Sequence, residues 1–198
     1  MTHRLMPALG LVMAALLTLV AGPALADTVG PYYAAPSWDQ TLPSNTRFVV
    51  LSNFGGAAVL DRESGLVWEK SPDLSPRAWD NARNFCVQKS IGSRMGWRLP
   101  SLPEISSLLI TTQSNSALPA GHPFNVPVPP GITEIVAWTA TTDAGSALQA
   151  WQVGIADVSF PTVQLSVQPK FTNGFATEGF VANFFAWCVR GPMNADQY

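Results

Sequence analysis

The chain contains two cysteines, Cys86 and Cys188, and whether they are joined constrains its fold more than any other feature. The compartment decides that question. Residues Met1 to Ala26 have the three parts of a secretory signal: His3 and Arg4 as a short positive start, an apolar run from Leu5 to Val20, and the small residues Ala24-Leu25-Ala26 that a signal peptidase reads. The apolar run is shorter than the roughly 20 residues a membrane-spanning helix needs, so cleavage is expected rather than anchoring. The residue directly after the cleavage point is Asp27 and not Cys, which argues against a lipoprotein. An exported chain meets an oxidising compartment, where an even pair of cysteines is usually bridged. The bridge would close a loop of about 100 residues, worth roughly 4.7 kcal/mol in the chain-entropy model. Two buried free thiols are one alternative. A catalytic cysteine with His122 as its base is another.

Composition narrows the function. Cleavage removes His3 and leaves His122 as the only histidine, so one chain cannot build a two-histidine metal site. The whole chain carries 11 Lys and Arg against 13 Asp and Glu, a net charge of −2. That balance gives no basis for binding nucleic acid, which calls for a basic footprint. Disorder is not expected of a chain that is 47% hydrophobic. No Gly-rich phosphate loop, serine elbow or metal-protease motif is present, and no metal or cofactor is expected.

The periodicity gives an order of elements. Residues 27–46 hold Pro31, Pro36 and Pro43 and read as an extended leader. Arg47 to Leu51 is a strand. Ala57 to Leu60 and Leu66 to Glu69 flank a hairpin turn in which Gly65 can take a positive φ. Ser75-Pro76 opens a helix, and Trp79, Ala82, Phe85 and Cys86 form its apolar stripe. Ser101-Leu102-Pro103-Glu104 is a capping box for a second helix, ending near Thr111. A Pro-rich loop follows to Thr133; an ordered loop of that length is usually functional. Ile135–Thr141, Gln149–Ala156, Val163–Val167 and Phe184–Arg190 read as strands, with a turn at Asp143-Ala144-Gly145. Helices in one block beside mostly antiparallel strands make the chain α+β.

These residues resemble the Lcl C-terminal domain family. Leu60-Asp61-Arg62-Glu63-Ser64-Gly65-Leu66-Val67-Trp68 is similar to the family's opening motif, and Trp79, Ala82 and Cys86 to its first helix. Gly96-Trp97-Arg98-Leu99-Pro100-Ser101-Leu102-Pro103-Glu104-Ile105 resembles its most recognisable stretch. Trp138-Thr139-Ala140-Thr141-Thr142, Ala150-Trp151-Gln152-Val153 and Cys188-Val189-Arg190 resemble its later strands. The resemblance spans residues 47–191. It implies a C-type-lectin-like fold: two helices packed on mostly antiparallel strands with a long loop. It also implies a bond between a first-helix cysteine and a last-strand cysteine, the places of Cys86 and Cys188. The domain is then 47–198, behind the signal 1–26 and the leader 27–46.

Two departures bear on the ligand. Thr139-Ala140 replaces the family's usual serine pair. The Glu-Pro-Asn and Trp-Asn-Asp triplets of calcium-dependent sugar binding are absent. Phe124-Asn125-Val126-Pro127 has no carboxylate between Asn and Pro, and only Glu134 and Asp143 flank the loop. A calcium site takes about six to eight oxygens, so none is expected.

The remaining candidates have structural readings. Trp68, Trp79, Trp97, Trp138, Trp151 and Trp187 are expected in the core, and Trp38 in the leader is the one most open to solvent. Arg98 reads as a clamp on carbonyls or a carboxylate, and Glu104 as a helix cap. His122 reads as a solvated loop residue. Asp61 and Glu63 read as turn chemistry. The fold also resembles that of the formylglycine-generating enzymes, whose cysteine chemistry would find no free thiol in a bridged pair. The expectation is a non-catalytic exported module, periplasmic or secreted, with no membrane span once the signal is cleaved. Its partner would be a surface glycan, or an envelope or host surface protein. The binding surface would be loop Gln113–Glu134 with the turn at Asp143. The alternative is a structural or assembly protein of the cell envelope.

Overall fold

The computed structural model describes residues 42–110, 117–157, 165–177 and 180–191. The signal, leader residues 27–41 with Trp38, loop residues 113–116 and strand residues 163–164 lie outside the described residues. All described residues fall in one unit, Pro31–Tyr198.

Short β-branched and aromatic runs separated by glycine turns give two sheets. A helical turn, α1 (Ser44–Arg47), leads into β1 (Phe48–Val50). A single 3-10 turn at Ser52–Phe54 then passes to β2 (Ala58–Asp61) and β3 (Val67–Glu69). Gly65, at φ +71°, closes the β2–β3 turn in a conformation that costs any other residue a steric penalty. With β9 (Val189–Arg190) these strands form an antiparallel sheet in the order β1-β2-β3-β9.

The second sheet has the order β6-β5-β4-β8-β7. Its centre is the long hairpin of β4 (Glu134–Asp143) and β5 (Ser146–Asp157). β6 (Leu165–Pro169) lies beside β5, and β7 (Gly174–Thr177) beside β8 (Phe180–Phe185). Among the described strands only the β4–β8 pairing is parallel. The Lys170 N–H donates to the Leu148 carbonyl at 3.0 Å, so the neighbouring Pro169 turns its donor-less nitrogen away from β5. That is where an edge strand tolerates proline.

From Ile135 to Trp138 β4 is apolar on both faces because both are covered. Ile135 and Ala137 join one core with Val153, Ile155, Phe185 and Trp187. Val136 and Trp138 join a second with Ala150, Phe184, Ala186 and Cys188. α3 (Leu102–Leu108) puts Ile105 and Leu108 into the first core. α2 (Trp79–Gln88) puts Trp79, Ala82 and Cys86 into the second. The Cys86–Cys188 disulfide is formed, with the Cα atoms 5.4 Å apart, and both residues are fully buried. It ties α2 to the crossing between the two sheets.

Three expectations are corrected. The first helix starts at Trp79, not at Ser75-Pro76. Asp73 Oδ1 accepts both the amide and the hydroxyl of Ser75. The Trp79 amide, which would close the first turn of an earlier helix on the Ser75 carbonyl, donates to Lys170 instead, and the Arg77 amide donates to Phe184. The strand expected over Phe184–Arg190 is two short ones: β8 ends at Phe185 and β9 begins at Val189, in different sheets. The second helix stops at Leu108, before Thr111, with Leu109 already extended.

Candidate functional site

The Pro-rich loop is anchored rather than free. From Ala117 onward its apolar side chains go inward: Leu118 and Phe124 are buried in the first core, and Val126, Val128 and Ile132 pack against it. The Ala117 N–H donates to Ile155 and its carbonyl accepts from Ile110. The Asn125 N–H donates to the Lys70 carbonyl at 2.8 Å. Ala120, Asn125, Pro127 and Pro130 remain exposed. Turns closed by Pro119 with His122 and by Pro129 with Ile132 fix this irregular rim without regular secondary structure.

Asp143 does not join that rim. It closes the far end of the β4–β5 hairpin opposite Ser146, while Glu134, the loop's exit, begins β4. At about 3.3 Å per residue the two ends of β4 are roughly 30 Å apart. The Asp143 end instead carries Leu148 and Phe171, 77% and 83% exposed. Nothing in the alternation of β5 marked Leu148 as uncovered, since exposure there depends on where the chain goes after Pro169.

His122 corrects a sequence expectation. It is half-buried rather than solvated, and its Nδ1 accepts the Phe124 N–H at 3.1 Å. Burial pushes its pKa below the ordinary 6.5. Of the six tryptophans expected in the core, Trp68, Trp79, Trp97, Trp138 and Trp187 are buried, but Trp151 is only half-buried beside edge strand β6.

The charged residues of the motifs are largely spent on structure. Arg98 grips both Glu104 oxygens, each at 2.7 Å, and also donates to the Leu99 carbonyl. Glu104 Oε2 takes the Ser101 N–H at 2.8 Å, while Ser101 Oγ accepts from the Glu104 N–H. Asp61 is a turn residue, as expected, accepting from the Glu63 amide and the Ser64 hydroxyl. It also holds a bidentate pair with buried Arg47, whose third bond goes to the Ser107 carbonyl. Glu63 lies against Arg47 and accepts the Leu42 N–H. Glu69 pairs with Lys89, and burial raises its pKa above 4.5 in spite of that partner. Asp73 is lowered to about 2 by the Ser75 hydroxyl bond, with Arg77 helping. Among the described residues no three His, Cys, Asp or Glu groups converge as a metal would need. No described helix is long and apolar enough to cross a membrane.

The geometry defines a class: a disulfide-tied α+β domain that presents a core-anchored irregular loop. The family model of the Lcl C-terminal domain matches residues 57–190, more than half of the chain, and the chain belongs to that family. No curated protein and no solved structure matches it.

Proposed function

We propose that the protein is a non-catalytic, exported binding module of C-type-lectin-like fold that recognises a surface glycan or a surface protein, in the periplasm or outside the cell. The observation that carries this reading is the loop rim. A rigid body can present irregular residues such as Asn125, Pro127 and Pro130 only if the loop is fixed from beneath, and Phe124 and Ile132 do that. The bridged thiols and the structural ion pairs of Arg98, Arg47 and Lys89 add support, because they leave little of the motif chemistry to a reaction. A second reading, an envelope assembly protein docking through an apolar surface, is favoured by exposed Leu148 and Phe171.

A glycan array probed with residues 27–198, with calcium and with a chelator, tests the first reading. Binding in both conditions, lost when Asn125 and Pro127 are replaced, is the expected result. A blank array, together with crosslinks to an envelope protein through the Leu148–Phe171 end, would replace it with the second.

A further inference from the structure

We infer that His122 is a proton-operated latch on the Pro-rich loop. Its Nδ1 accepts the Phe124 N–H at 3.1 Å, and its backbone N–H donates to the Pro119 carbonyl at 3.1 Å. Its ring lies against the Phe124 ring at 5.9 Å. Phe124 is wedged edge-on between Phe48 at 5.3 Å and Trp187 at 5.1 Å. The next amide, Asn125, is tied to the end of β3 through the Lys70 carbonyl. One imidazole nitrogen therefore closes the turn that seats Phe124 in the first core.

That bond exists only while Nδ1 is unprotonated. A protonated imidazole has two N–H donors and no acceptor. A proton at Nδ1 would face the Phe124 N–H, donor against donor. The acid form must rotate its ring away, which opens the Phe124 amide and unstacks the two rings. Among the described residues, the charged groups on the packed elements do not supply a substitute. Arg47, over the Phe48 ring, is held by Asp61. Glu69, beside Lys70, is held by Lys89. Lys70 offers the turn its carbonyl. Burial disfavours the charged imidazole. The latch thus belongs to the mildly acidic range in which histidines change charge.

Amide hydrogen exchange on the exported chain tests this, with the imidazole's own resonances followed in the same samples. Between about pH 7.5 and about pH 5, protection of the Phe124 amide is expected to fall roughly three- to tenfold, the worth of one hydrogen bond. Protection of Val136 in β4 should hold. His122→Asn supplies a side-chain oxygen that accepts the amide two residues on but cannot titrate, so it should stay protected at both pH values. His122→Ala should be open at both. The inference is overturned if the imidazole titrates without changing Phe124 protection, or if it does not titrate in this range. It is equally overturned if His122→Asn loses protection like the wild type, or if Val136 opens along with Phe124.

Discussion

Replacing Arg98 removes the counter-charge of a carboxylate that has no access to water. Glu104 is 0% exposed, and both its oxygens are in the Arg98 fork. Breaking a buried pair from one side typically costs about 3–5 kcal/mol. Arg98→Ala should lose that much in urea unfolding. Arg98→Lys should recover only part of it, because a single ammonium cannot make the planar two-bond contact. Recovery to the wild-type midpoint with Lys would show that the fork itself contributes nothing. Each residue's role could be read from the sequence: Glu104 from the capping-box spacing, Arg98 from its place between Trp97 and Leu99. That they hold each other could not, because the connector bends between them and no helical or strand period joins positions six apart. His122 failed for a related reason. Proline and glycine neighbours signal a loop, and a loop suggests solvent, but the core contacts of Phe124 pull the turn inward.

At the scale of elements, the disulfide joins the two pieces that local signals placed least well. Ser75-Pro76 satisfies the usual cap rules, but α2 starts at Trp79 because the N–H that would close an earlier first turn is claimed by the distant Lys170 carbonyl. Phe184–Arg190 reads as one strand because its alternation continues unbroken across the change of sheet. Phe184, Ala186 and Cys188 face one core, and Phe185, Trp187 and Val189 the other. Alternation reports which face is buried and does not report a change of sheet. Cys86 and Cys188 lock these two segments together. Replacing both with Ser should lower the unfolding free energy by about 2–5 kcal/mol, seen as an earlier denaturant midpoint. Because both are fully buried, reductant alone should leave the wild-type bridge intact until denaturant is added. An unchanged midpoint in the double variant would mean that the two cores hold these segments without it.

For the whole molecule, the α+β order was legible because local runs and caps set most elements, and the two-faced burial of β4 follows from its unbroken apolar run. What the chain's pH response should be was not legible, since it depends on which charges become buried. Two groups oppose each other. His122 has a lowered pKa, so its contribution to stability is present above 6.5 and is lost as pH falls through the lower, folded value. Glu69 has a raised pKa, so its contribution is fully present below 4.5 and is lost as pH rises through the raised value. A single wild-type curve in mild acid sums the two. Glu69→Gln separates them. The amide keeps the side chain's size and an oxygen for Lys89, and it cannot ionise. Glu69 also binds, through its backbone, the Cys188 carbonyl and the Trp187 indole, so the substitution leaves the β3 contacts to the sheet crossing in place. Since burial outweighs Lys89 in setting its pKa, the charged form costs the folded state free energy near neutrality. Relative to wild type, Glu69→Gln should therefore be more favourable at about pH 8 than at about pH 4. Urea unfolding of both proteins across that range measures the difference directly. A difference that grows towards acid would show the opposite, that Lys89 wins over burial and holds Glu69 ionised at the junction of α2, β3 and the disulfide.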